Sequence, residues 1–275
     1  YRDIVVATND LERYRYVIDK VFGSFEIPVF LDRKTTIADQ PAAQMLVLAL
    51  DIAIPSWRSG VVFSYLKSGF TNLELEDIDL IENYILATGI RGSTWTRQED
   101  WSYTPQMAQS FSSPKEFLQR INEIRRQVVQ PLQRLHSSVK TAKTAGEMCQ
   151  AMYEFVKEIH LEEKIMLLIE RFRQTSTEAA ARYGQLWNAL MDILDEIYDV
   201  CGTQKVSVAE FRDMLVTGME AHEIGIIPTN IDSVTIADCS YSKLDHPPVL
   251  FLIGMDDKHF PRAAAQEGLL SDRDR

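Results

Sequence analysis

The chain has little cysteine: Cys149, Cys201 and Cys239 are its only three in 275 residues, and no pair of them has metal-ligand spacing. Three is too few for a disulfide framework, and the reading is buried free thiols of a reducing cytoplasm. The same spacing speaks against a zinc or iron–sulfur site built within the chain. No apolar run approaches the roughly 18–20 residues that a membrane span needs. No secretory leader precedes the first strand-like run, Tyr1-Arg2-Asp3-Ile4-Val5-Val6, which lacks an initiator Met. The last residues, Ser271-Asp272-Arg273-Asp274-Arg275, form a charged run. Both ends read as cut, so that targeting signals would lie in missing flanks. There is no G-x-x-x-x-G-K-[ST] phosphate loop, no G-x-S-x-G elbow, no H-E-x-x-H and no kinase signature set. Positive charge is also short. The net charge is −11, which argues against strong DNA binding by the chain alone, because phosphate neutralisation supplies most of such affinity. A local basic patch stays compatible with that total.

What is present is ordinary globular material, 45% hydrophobic and 25% charged, enough for one large domain or two modest ones. The two ends read as α/β. Ile4–Ala7 is a short buried-type strand, and Asn9 or Asp10 caps a helix through Phe22, with Gly23 at its stop. Ile27–Leu31 is a second strand, placed near an edge by Pro28. Pro41 opens a helix over Ala42–Ile54 that is apolar nearly all round. Ser233–Ala237 and Val249–Ile253 complete the strands, and the last, apolar on both faces, has the pattern of a central parallel strand. From Trp57 to Ile227 the pattern is helical. Capping boxes stand at Ser113–Glu116, Thr144–Glu147 and Ser207–Glu210, each followed by an apolar stripe of core type, with a break or kink expected at Pro131. The expected fold class is α/β: a partial RecA-like parallel sheet from residues 1–56 and 228–275, interrupted by a mostly α-helical insertion over 57–227.

Candidate chemistry is sparse. The stretch Arg91-Gly92-Ser93-Thr94-Trp95-Thr96-Arg97-Gln98-Glu99-Asp100-Trp101 mixes aromatics with bases. Base stacking on Trp95 with phosphate contacts from Arg91 and Arg97 would suit single-stranded DNA. The competing reading is a loop anchored by its two tryptophans, since Trp is mostly buried and Glu99 and Asp100 repel phosphate. Asp238, Asp245, Asp256 and Asp257 gather near strand ends, where a magnesium site is conceivable but acidic turn residues are the simpler account. His136, His160, His222, His246 and His259 are scattered, and no catalytic or metal-ligating set emerges.

Val249-Leu250-Phe251-Leu252-Ile253-Gly254-Met255-Asp256-Asp257-Lys258-His259-Phe260-Pro261 resembles the "vVFLxGlxdgxFP" stretch in the second motor domain of UvrD/Rep-type helicases. Just before it those motors carry "T-x-H-x-x-K-G-L-E", which couples DNA to ATP. Here Asp238 stands at the Thr position, Ser240 at the His, Leu244 at the Gly and His246 at the Glu; Lys243 alone matches. A carboxylate where a hydroxyl faces phosphate is electrostatically wrong for that contact. Phe63–Gly69 with Lys67, Asp77–Tyr84, Gly89–Gly92 with Arg91, Trp95, and Gly268–Arg275 are similar to the "yLKtGl", "LENY", "GirG-W" and "GLLsDxdR" pattern of AddB/RexB subunits.

That resemblance covers nearly the whole chain. It implies a piece of the AddB/RexB component of an ATP-dependent helicase–exonuclease, cytoplasmic and without a membrane segment, that processes DNA double-strand breaks for recombinational repair. It implies a heterodimeric partner of AddA/RexA type and DNA as substrate. ATP, Mg2+ and an iron–sulfur cluster would belong to regions outside this stretch or to the partner. The piece itself would carry no complete active site: a motor-like module that shapes the DNA channel and holds the partner, with Lys67, Arg91, Trp95, Arg97 and Lys243 as DNA contacts. The alternatives are the second motor domain of an active UvrD-type helicase, disfavoured by Asp238 and Leu244, and a helical interaction scaffold, disfavoured by strand pieces split across the chain.

Overall fold

A computed structural model describes residues 1–31, 35–53, 57–224, 232–239, 242 and 246–256. The chain divides into two compact units, Tyr1–Lys34 with Gly225–Arg275, and Thr35–Ile224.

The first unit is a parallel sheet. Its strands are β1 (Ile4–Thr8), β2 (Val29–Leu31), β5 (Val234–Asp238) and β6 (Val249–Leu252), in the order β2-β5-β1-β6. The two short strands β3 (Thr35–Thr36) and β4 (Glu223–Ile224) belong to the other unit. Register runs Val5↔Thr235 to Thr8↔Asp238 on one side of β1 and Ile4↔Val249 to Ala7↔Leu252 on the other. Strands from both ends of the chain thus share one sheet. Two strands from either end would be too few to stand alone. Pro28 precedes an edge strand, as its missing N–H requires. Among the described strands β6 lies at the other edge, and its residues are 40–53% exposed, although its pattern is that of a central strand. Apolarity on both faces reports what a strand would bury, not which neighbour it has. The crossover helix α1 (Leu11–Ser24) is capped by Asp10, whose carboxylate accepts from the Arg13 amide at 3.2 Å. It lays Leu11 and Ile18 over Val6, Val234 and Ile236. The helix runs past Gly23 to Ser24.

The second unit holds the helices α2 (Pro41–Ala53), α3 (Ser59–Leu66), α4 (Leu75–Thr88), α5 (Pro114–Thr141), α6 (Ala145–Glu158), α7 (Leu161–Thr175), α8 (Thr177–Cys201) and α9 (Val208–Ala221). Antiparallel pairing of β3 with β4 closes the chain where it enters and leaves this unit. Helix α2 is part of this compact unit. Ala42, Met45, Leu46, Ala49, Leu50 and Ile52 are buried in the helical core. Its all-round apolar surface demands enclosure, and the other helices supply it. The capping boxes at Thr144–Glu147 and Ser207–Glu210 form as expected, and Ser113 accepts from the Glu116 amide. Helix α5 continues through Pro131 for 28 residues. Gly218 lets α9 close on α8, because a Cβ there would stand 2.8 Å from Ile193 Cγ2.

Candidate nucleic-acid interface

The aromatic and basic stretch lies between α4 and α5. Gly89, at φ 68°, ends α4 in the left-handed conformation that favours glycine, with its N–H on the Ile85 carbonyl at 2.8 Å. The chain then makes one 3-10 turn, Gly92–Trp95, and runs without regular structure to Trp101. Such a segment leaves backbone groups that no ladder satisfies, and buried ones need other partners.

Helix α5 supplies those partners through two side chains. Arg125 donates from Nε to the Trp95 carbonyl at 2.8 Å, from Nη1 to the Glu99 carbonyl at 2.8 Å, and from Nη2 to the Arg97 carbonyl. Asn122 accepts from the Trp101 amide at 2.8 Å and donates to the Trp101 carbonyl at 2.9 Å. Both are buried, at 5% and 3% exposure. The guanidinium also lies 4.8 Å from the centre of the Trp101 ring, a cation–π contact in a desolvated setting. Burial pulls the Arg125 pKa below its ordinary value, and the nearby Asp100 carboxylate partly restores it; a guanidinium stays charged regardless. Asp100 itself is held by Arg126 at 2.6 Å.

Beneath this clamp the aromatics interlock. Trp57 stacks on Trp95 at 5.7 Å, Trp95 meets Trp101 edge-on at 5.4 Å, and Tyr84 stacks on Trp101 at 5.5 Å. Gly92 reaches the Trp57 carbonyl at 3.2 Å. Trp95 is fully buried. Its ring therefore has no exposed face, which is the geometry of the anchored-loop reading. Among the described residues its indole N–H has no hydrogen-bond partner, so burial and ring packing outweigh one unmet donor at this site.

Arg91 and Arg97 stay exposed on the clamped loop. Arg97 lines a cleft of about 790 Å3 with Thr94, Glu99, Trp101 and Tyr103. Lys67, at the end of α3, is exposed but pairs with Glu82 at 2.7 Å. A surface pair of that kind is worth at most about 1 kcal/mol, so the lysine can be drawn to a competing anion.

In the sheet unit, Thr8 and Asp238 are register neighbours at the carboxyl ends of β1 and β5, and both are buried. The Cys239 amide donates to the Thr8 carbonyl at 2.8 Å, and the Asp238 amide donates to Ser242 Oγ at 3.1 Å. Carboxyl ends of parallel strands are where α/β sheets seat ligands. His246 is exposed and takes φ 44°, the left-handed region. Ser240, Lys243 and Leu244 lie outside the described residues, as do Asp245, Asp257 and His259.

The cysteines do not fit an iron–sulfur cluster, which takes four thiolates or their equivalent. Cys149 is buried, and desolvation pushes its thiol up to about 12. Cys239 belongs to the other unit, with its thiol also raised by burial. Among the described residues no helix is long and apolar enough to cross a membrane.

Sequence reasoning missed Asn122 and Arg125. Their signal was present: two polar residues three apart on the flank of the Phe117, Ile121, Ile124 and Val128 stripe.

The chain is 38% identical over 279 residues to the ATP-dependent helicase/deoxyribonuclease B-type subunit of Acetivibrio thermocellus. Against the protein of the same name from Clostridium botulinum (strain Loch Maree) it is 37% identical over 283 residues. Against that of Clostridium acetobutylicum it is 33% identical over 280 residues. Each alignment takes in all of this chain and 24% of the relative, so the chain spans about a quarter of the length of the curated relatives it matches. No family model matches it.

Proposed function

The chain belongs to the AddB/RexB family, and from that premise we propose that it is a non-catalytic, motor-like module of a helicase–nuclease that processes DNA double-strand breaks. Homology along its whole length carries the reading. The sheet is the kind of parallel frame on which motor domains are built. Asp238 is the local argument against motor chemistry. A buried carboxylate stands at a strand end where a motor's hydroxyl meets phosphate, and like charges repel most strongly where water is scarce.

The helical unit contributes a rigid surface. Arg125 and Asn122 fix the loop backbone from buried positions, while Arg91 and Arg97 are exposed. Phosphate contacts of that type position a strand but read no sequence. Lys67 adds a third cation once Glu82 yields it. With few contacts and a net charge of −11, the chain alone binds DNA no better than about 10⁻⁴–10⁻⁶ M, with steep loss in salt. In the complex these cations act beside charge supplied by the AddA/RexA-type partner, which also brings the ATP and Mg2+ chemistry.

The test mixes the 275-residue chain with a purified AddA/RexA-type subunit and follows co-elution by size exclusion. ATP turnover by the chain alone is measured with single-stranded DNA present. Co-elution without turnover is expected. Turnover that a substitution such as Asp238→Ala removes would overturn the non-catalytic reading, and failure to co-elute would remove the partner-holding role.

A further inference from the structure

With Trp95 buried, the aromatic that stays open beside Arg97 is Tyr103. It is 61% exposed and lines the same cleft of about 790 Å3 as Arg97, Thr94 and Trp101. The cleft lies wholly within the helical unit. Ring surface beside a few polar groups is the lining that a flat heterocycle needs.

The segment that carries both side chains is irregular in form but fixed in place. Every second residue from Trp95 to Tyr103 is held through its backbone. Arg125 holds the carbonyls of Trp95, Arg97 and Glu99, and Asn122 holds both backbone groups of Trp101. The Tyr84 hydroxyl then donates to the Tyr103 carbonyl at 3.0 Å. Arg97 and Tyr103 thus extend from fixed backbone, and a ligand that meets them orders two side chains rather than a loop.

The charge at the cleft admits a phosphate. Asp100 is taken by Arg126, whose Nη2 lies 2.6 and 2.7 Å from its two oxygens. No carboxylate among the described residues pairs with the Arg97 side chain. The buried Arg125 guanidinium, 4.8 Å from the Trp101 ring, adds a second cation. Of the charged residues that line the cleft, Glu99 remains in opposition. Two cations against one carboxylate make the site locally positive in a chain of net charge −11.

We propose that Tyr103 is a stacking platform for one base of single-stranded DNA, with the adjoining phosphate at Arg97. A tyrosine ring accepts any base, because every base has a π-face, whereas duplex bases are already stacked on one another. The inference rests on the reading of Arg97 as a DNA contact.

The test titrates a labelled single-stranded deoxyoligonucleotide with the 275-residue chain at low salt and follows anisotropy. A second strand of equal length carries tetrahydrofuran abasic residues in place of every base. Tyr103→Ala removes the ring and Tyr103→Phe keeps it. Tyr16→Ala, at a 75% exposed tyrosine of α1, is the control. Tyr103→Ala is expected to weaken binding of the normal strand about fivefold or more at an unchanged salt slope. Tyr103→Phe and Tyr16→Ala should each change it less than about twofold. The abasic strand should bind the parent and Tyr103→Ala equally. Equal losses on the two strands, or a loss in Tyr103→Phe as large as in Tyr103→Ala, would overturn stacking. Parent-like binding by Tyr103→Ala would also overturn it and leave the Arg97 contact standing. Absence of any salt-sensitive binding by the parent would instead remove the DNA reading itself, and this proposal with it.

Discussion

Replacing Arg125 by methionine keeps most of the side-chain volume and removes the guanidinium. Carbonyls of Trp95, Arg97 and Glu99 then lose their donor. The Trp95 bond is buried, while the other two are partly buried and can regain water. A carbonyl left dry costs about 1–3 kcal/mol and a rehydrated one less. The cation–π contact with Trp101 adds about 1–2 kcal/mol. Relief of the desolvation that depresses the arginine's pKa offsets part of this. A net loss of about 3–4 kcal/mol follows. Arg125→Lys should cost less, about 2 kcal/mol, because an ammonium reaches some of the carbonyls without the fork geometry. All four tryptophans, Trp57, Trp95, Trp101 and Trp187, belong to the helical unit. Tryptophan emission during urea unfolding therefore reports this unit alone, with the midpoint shift converted through the slope. A methionine variant within about 1 kcal/mol of the parent, at unchanged slope, would refute the claim that these bonds hold the loop.

Lys164 donates to the Phe70 carbonyl at 2.6 Å, and burial lowers its pKa from 10.5 to about 8. Between these values the unfolded chain binds the extra proton, so stability rises with pH across that window and is flat with respect to this group below it. Urea titrations of the parent against Lys164→Met should diverge as pH climbs from 8 towards 10.5; parallel curves would dismiss the lysine as the source. Iodoacetamide at mildly alkaline pH should label Cys201 while sparing Cys149, whose thiol is held near 12, and peptide mapping that finds both labelled at similar rates would contradict the burial. Gly218→Ala gains about 1 kcal/mol in helix propensity but overpacks Ile193 at 2.8 Å for about 1–3 kcal/mol. Its midpoint should fall, and a rise would show that α8 and α9 can separate freely. Arg91→Ala and Arg97→Ala should each lower the salt slope of single-stranded DNA binding by about one phosphate without changing base preference, and unaltered slopes would move the DNA contact elsewhere.

Much of this molecule was readable from residue order. Capping boxes depend on four consecutive residues, so Thr144–Glu147 and Ser207–Glu210 marked their helices locally. Helical apolar spacing gave the stripes of α5, α6 and α8, and strand-length apolar runs at both ends announced a shared parallel sheet. The family was legible in short motifs such as Phe63–Gly69 and Gly89–Gly92. Other features arose only from the fold. The edge position of β6 depends on which strands pair, and its own four residues cannot specify that. The place of α2 in the helical core is a matter of long-range enclosure, as is the close approach of α9 to Ile193 through Gly218. The fate of Trp95 was decided the same way. Its sequence neighbours Arg91 and Arg97 suit a DNA-stacking loop, but Arg125 and Asn122, farther along the chain on α5, satisfy the loop's backbone and draw its indole inside. Local sequence sets which interactions a segment can make with itself; only tertiary packing determines which distant side chain takes each remaining backbone group out of water.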